Sequence, residues 1–214
     1  MKIRSAEDFS DRISSDIAWR RKEVQTLLNY ARSSNGRDQM SALRAILPIL
    51  YSHWEGFIKT SAELYLVFIK SQKYLYKDLK DNFLAIKFYS ALKSCEESNR
   101  IIFHQQIIQA IRSECNERAN IPTENVIRTE SNLSSEILRN ILVTIGLESD
   151  LYELKNQLID SKLIKIRNEI AHGEETYIDL SDYELLHTEI FNILSDFKNR
   201  LENMVITRSF ISSV

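Results

Sequence analysis

Glycine and proline are scarce in this chain: four and two among 214 residues. Sandwiches and barrels place these residues in their many turns, and α/β folds place glycines in βα loops. Their scarcity argues against all of these folds and for a few long helices. Long hydrophobic runs are missing as well. One candidate run, Leu64 to Ile69, lies between Glu63 and Lys70, far short of the roughly 20 residues of a membrane span. Charge of one sign is also lacking: 28 Lys and Arg face 30 Asp and Glu, a net charge of -2. A globally basic nucleic-acid binder is thereby excluded, while a local basic site is not. The two cysteines, Cys95 and Cys115, show neither a CxxC nor a Cys/His ligand spacing. They read as reduced thiols of a cytoplasmic protein, with no disulfide framework, zinc site or other metal site. The N-terminal MKIRSAEDFSDR has no apolar core and carries acidic residues, unlike a secretory signal.

What is present is a run of helical patterns within one domain spanning residues 1–214. Hydrophobic residues make up 43% and charged residues 27%, ordinary for a globular chain. Ser5 and Asp8 form a capping-box pattern, and Phe9, Ile13, Ile17, Val24 and Leu28 recur at helical spacing. This predicts a first helix over 6–33, ended by Ser33-Ser34-Asn35-Gly36. A second helix is expected over 38–71, with Pro48 kinking it or marking its true start. Residues 72–83 read as a loop with helical turns, and 84–116 as one or two helices with a break near Ser98-Asn99. Residues 118–134 read as a long surface loop. A short helix starts at Ser134 and stops near Gly146. Another is expected over 150–172, capped by Gly173. Ser181 and Glu184 suggest a capping box for a last helix through Val205. No strand is expected. The fold class is all-α, a bundle of long antiparallel helices.

The helix over 150–172 carries two stripes. Ile159, Leu163, Ile166 and Ile170 form a core-facing one. The other runs Leu151, Leu154, Leu158, Ser161, Lys165, Asn168, His172, leucine in its first half and polar in its second. The polar half either emerges into water or forms a cluster that is buried or faces a partner. Its end reads Arg167-Asn168-x-x-x-His172. On a regular helix Asn168 and His172 lie about 40° apart, and Arg167 about 140° from His172. A bend, a long side chain or a second subunit must then bring all three to one substrate. The chemistry open to them is metal-free cleavage of an RNA phosphodiester. Histidine takes a proton from a 2′-hydroxyl or gives one to a leaving oxygen. Arginine offers fixed, charged donors to a phosphate, and asparagine orients phosphate or imidazole. The reaction wants both an acid and a base. One copy of the motif supplies one histidine, so two copies across a dimer suit it.

Arg167, Asn168 and His172 resemble the Arg-polar-x-x-x-His motif of the HEPN superfamily (higher eukaryotes and prokaryotes nucleotide-binding domains). The segment Tyr51-Ser52-His53-Trp54-Glu55-Gly56-Phe57-Ile58-Lys59 is similar to the WEGFIK segment of a HEPN-like nuclease family from bacterial conflict systems. The resemblance implies an all-α domain that dimerises and sets two motifs face to face. It also implies a metal-independent endoribonuclease without a cofactor, acting as a toxin or anti-phage defence effector alongside an antitoxin or defence-system partner. Arg167 and His172 would be catalytic, with Asn168 their polar companion. In some HEPN toxins a tyrosine two residues past the histidine is adenylylated; here that position is Glu174, which speaks against that mode of control.

Two further residues enter on their own patterns. Glu55 is either a surface carboxylate paired with Lys59 at i+4 or a buried one orienting Arg167 or His172. Lys165, on the seam with Asn168 and His172, is a candidate RNA phosphate contact. His53, His104 and His187 match no constellation, and Gly56 suits close helix packing. The alternative function is a non-catalytic helical interaction module or partner-binding HEPN subunit. A nucleotide sensor is weaker still, since no P-loop is present.

Overall fold

A computed structural model of the chain describes residues 3–96 and 100–212. Seven α-helices carry the described residues: α1 (Ala6–Ser33), α2 (Gly36–Gln72), α3 (Asp81–Glu96), α4 (Ile101–Glu114), α5 (Ser135–Ile145), α6 (Lys165–Ala171) and α7 (Leu180–Thr207). The all-α expectation holds. Among the described residues the only strand-like pairings are two isolated bridges, Leu75 with Arg118 and Leu79 with Ile211. The expected break at Ser98-Asn99 lies outside the described residues.

The frame is made by α1, α2 and α7. A two-residue connection turns α1 back along α2. Hydrogen bonds from Ser10 to Glu202, Arg21 to Ser195 and Arg32 to Glu184 pair the start of α1 with the end of α7, and the reverse. Thus α1 is antiparallel to both neighbours, and α2 and α7 run the same way. The three helices contribute Phe9, Leu47, Phe57, Tyr65, Tyr183 and Phe197 to the core, each fully buried. Burying a large apolar side chain stabilises by roughly 1.5–3 kcal/mol, so this seam dominates the fold.

The helix ends follow their caps. Ser5 accepts from Asp8 N–H while Asp8 accepts from Ser5 N–H, the expected reciprocal box. Ser134 caps α5, and Gly146 ends it at φ 82. Four expectations need correction. Pro48 does not mark the start of α2, which begins at Gly36 and runs through it; the apolar faces before and after Pro48 are buried together, and packing outweighs one lost backbone bond. The last helix is capped by Asp179, two residues before Ser181. Asp179 accepts from Asp182 N–H at 2.7 Å, and the Ser181 hydroxyl donates to Asp179 at 2.8 Å, so Ser181 serves the cap it was expected to be.

The loop before α5 is no surface loop: Ala119, Ile121, Ile127 and Leu133 are buried in the core. The fourth correction concerns the helix over 150–172. Residues Glu153–Lys155 form a 3-10 turn, and Leu158–Ile164 form a π-helix that passes into α6. Leu154, expected on a packed seam, is 98% exposed. The π segment is fastened to α5 by Asp160, which accepts from the backbone N–H and hydroxyl of Ser135 at 2.9 and 2.5 Å. A carboxylate there also meets the positive end of the α5 dipole. The i→i+5 bonding adds a residue to the turn, so the second stripe's three-and-four spacing no longer traces one straight face. The core stripe survives, with Ile159 and Leu163 fully buried and Ile166 and Ile170 packed against the core.

Two histidines tie the fold to pH. His53 is 4% exposed on α2. Its Nε2 lies 2.6 Å from the Glu23 carboxylate, and its Nδ1 lies 3.4 Å from Arg20 Nη1. An arginine donor requires a bare Nδ1, so the ring is neutral with its proton on Nε2. Burial, aided by the Arg20 charge, lowers its pKa below the ordinary 6.5, against the pull of Glu23 and Asp16. His187 on α7 packs on Tyr183 and Phe191. Burial lowers its pKa too, aided by Arg21 and Arg32 and opposed by Glu184. Below 6.5 the unfolded chain binds protons that these folded sites resist, so stability is full above that pH and falls beneath it. Thermal unfolding should show Tm declining as pH drops below about 6.5, and His187→Phe should flatten part of that decline. A second expectation concerns Trp54, whose Nε1–H donates to the Leu133 carbonyl at 3.1 Å. Trp54→Phe should reduce stability by about 1–3 kcal/mol, through a buried carbonyl left unmet and lost ring contacts, as read by denaturant unfolding.

Candidate functional site

The end of α6 is a complete Schellman motif. Gly173, at φ 80, donates its N–H to Ile170 O at 3.1 Å, and Glu174 donates to Glu169 O at 2.9 Å. Glycine is required here because its φ is positive. The turn leaves His172 as the capping residue, with φ -86 and ψ 2, exposed to solvent. Asn168 is half-buried one turn back, and its carbonyl accepts from His172 N–H at 2.9 Å.

Arg167 faces the other way, into the molecule. Its guanidinium carbon lies 3.7 Å from the centre of the Tyr51 ring. Its Nη2 donates to Asn132 Oδ1 at 2.9 Å and, more weakly, to Ser131 O at 3.4 Å. Its Nε is buried without a partner. Thus three elements meet at Arg167: α2 below it, α6 carrying it, and the loop before α5 along its edge.

That loop is held by one face of α2. Tyr51 accepts from Leu133 N–H at 2.8 Å, Trp54 donates to Leu133 O, and Glu55 accepts from the Thr129 hydroxyl at 2.5 Å. Between these anchors Glu130 and Ser131 adopt left-handed backbone, at φ 50 and 58. Such conformations in non-glycine residues are strained and persist only where surrounding contacts impose them. Glu55 therefore binds the loop, and among the described residues no ion pair joins it to Lys59 and no hydrogen bond joins it to Arg167 or His172. Burial, reinforced by the hydrogen bond to Glu55, pushes the Tyr51 pKa up to about 12, against the pull of Leu133 N–H and Arg167. The phenol thus keeps its proton throughout the neutral range. Gly56 makes room for a side chain: a Cβ there would lie 2.8 Å from Arg20 Nη1.

Lys165 is largely exposed, its ammonium 3.8 Å from Glu169 Oε1. At that distance and exposure the pair contributes little. Glu169 also accepts from the Thr176 hydroxyl at 3.0 Å. Arg167 and Asn168 are thus carried by one turn with His172 just beyond it, but Arg167 points toward α2 while His172 stands in solvent. Glu55 joins the Arg167 side of the site through Tyr51 and the loop. Tyr51, Thr129 and Asn132 are the members that sequence reasoning missed. Tyr51 opens the quoted stretch, three residues before WEGFIK; nothing in a linear pattern marks Thr129 or Asn132. A shallow groove bordered by Asp8, Arg12, Asp16 and Trp19 lies elsewhere, over α1 and α2, and none of the motif residues lines it. Its three carboxylates, from Asp8, Asp11 and Asp16, suit a phosphate poorly. Among the described residues no three His, Cys, Asp or Glu side chains converge as a metal site requires, and no helix is long and apolar enough to cross a membrane.

No curated protein and no solved structure matches this chain significantly. The sequence profile of one family does match, that of RiboL-PSP-HEPN, over residues 15–203. That span runs from the first turns of α1 almost to the end of α7 and takes in the Tyr51 face, the loop and the whole of the Arg167–His172 turn, so the chain belongs to the RiboL-PSP-HEPN family.

Proposed function

We propose that this chain is a metal-independent RNA endonuclease of the HEPN type, acting as a homodimer in a toxin or anti-phage defence setting. The observation that carries this reading is the division of labour at one helix end. Arg167 is a fixed, permanently charged donor, and His172 is an exposed imidazole, a group able to take up and give back a proton. In the reaction, His172 removes the proton of a ribose 2′-hydroxyl, and that oxygen attacks the adjacent phosphorus. Charge accumulates on the non-bridging oxygens, where the Arg167 guanidinium stabilises it. The bond to the 5′-oxygen breaks as a second imidazole delivers its proton, leaving a 2′,3′-cyclic phosphate and a 5′-hydroxyl. The second imidazole comes from His172 of another copy, since one motif supplies one. Asn168 orients the imidazole or the phosphate, and Lys165, at the open face, adds a cation for the RNA backbone.

A non-catalytic interaction module is the second reading. The bonds of Arg167 to Asn132 and Ser131 within its own chain favour it; the exposure of His172 speaks against it.

Purified protein should cleave structured RNA in EDTA to products ending in cyclic phosphate. His172→Ala and Arg167→Ala should each lower the rate by at least about 10²-fold. His172→Ala should melt like wild type, because the side chain is exposed. Cleavage that survives His172→Ala, or that needs a divalent ion, overturns the reading. Sedimentation should give twice the mass of the chain, and a strictly monomeric active species would exclude the composite site.

A further inference from the structure

Arginine recognises a phosphate best when its plane is already set, because a long flexible stem otherwise loses its rotamer freedom at the moment of binding. In this chain the plane is set by groups outside the motif. The face of Tyr51 lies 3.7 Å beneath the guanidinium, and Asn132 takes Nη2 at 2.9 Å. Tyr51 is itself immobile: it is 5% exposed, and its hydroxyl accepts from Leu133 N–H. The same turn of α2 places Glu55 against Thr129 of the same loop. Tyr51, Asn132 and Glu55 thus form one bracket, in which a helix face and a strained loop hold each other and together hold Arg167.

We propose that Tyr51 is the positioning residue of this site, its ring fixing the orientation in which Arg167 meets the scissile phosphate, with Asn132 fixing rotation within the plane. The inference rests on the RNA-cleavage reading for its catalytic consequence, but its geometric content stands apart from it. The ring, and not the hydroxyl, faces the guanidinium. The hydroxyl serves the loop.

The test separates these roles. Tyr51→Phe keeps the ring and loses one of the loop's three anchors, while Trp54 and Glu55 still hold the loop, so it should lower Tm while leaving kcat within about threefold of wild type. Tyr51→Leu removes the ring and should lower kcat about 10–100-fold with little change in KM, the size expected for a misplaced catalytic group. In an Arg167→Ala background, Tyr51→Leu should add almost nothing, because its effect runs through Arg167. A purely structural role for Tyr51 would instead reduce kcat in both variants in step with Tm, and equally in both backgrounds; either result overturns the proposal. The second readout needs no activity. The side-chain N–H signals of Arg167, recorded by NMR on the free protein, should be displaced by the Tyr51 ring current in wild type and Tyr51→Phe. They should move to random-coil positions in Tyr51→Leu. Unchanged Arg167 signals in Tyr51→Leu overturn the bracket, whereas displaced signals in a protein that does not cleave RNA overturn only the nuclease reading.

Discussion

The stretch between α4 and α5 has no regular structure with which to satisfy its own backbone, yet it buries Ile121, Ile127 and Leu133. It can do so because one turn of α2 supplies the missing partners. Tyr51 and Trp54 meet the N–H and C=O of Leu133, and Glu55 meets the Thr129 hydroxyl. Buried backbone groups must be paired, so this polar face of an otherwise apolar helix decides where the loop lies. Everything at the candidate site depends on it. Asn132 reaches Arg167 because Leu133 is pinned next door, and the left-handed pair Glu130 and Ser131 is tolerated because it is fastened on both sides.

The opposite side of the same helix follows a similar logic with charge. Arg20, 8% exposed, is bonded to Asp16 at 2.8 Å, approaches His53 and occupies the space that Gly56 leaves open. Consecutive residues of α2 therefore carry different duties: His53 and Gly56 accommodate a buried cation toward α1, while Trp54 and Glu55 secure the loop. Removing one partner from such a network leaves another group buried and unmet, which is why its members are destabilising to replace singly even where the whole network adds little net stability.

Much of this architecture was legible in the sequence. The scarcity of glycine and proline pointed to long helices, and the start of α1 and both ends of α5 followed from Ser5, Asp8, Ser134 and Gly146, because capping is a local interaction. The failures have tertiary causes. Pro48 is a helix breaker by local rules, but the packed faces around it hold α2 continuous. Ser181 matched a capping pattern, but Asp179 offered a stronger acceptor two residues earlier. The loop over 118–134 looked polar because its few apolar residues lack periodicity, and only the assembled α2 face shows where they go. At the site, the arginine and histidine could be found by spacing. Asn132 and Thr129 could not, since their roles depend on a loop path that no local pattern encodes.

The π-helical segment Leu158–Ile164 gives the motif an adjustable phase. In an α-helix each residue turns the chain by about 100°, so an extra residue taken up by a wider turn rotates all that follows while leaving the anchor before it in place. Asp160 stays on α5, and Arg167 arrives over Tyr51. Loss of a single residue within that segment would restore ordinary α-helical winding and swing Arg167 away from α2. In this family member, the alignment of the site with its support is thus set by a count of residues in a stretch that contains neither the arginine nor the histidine.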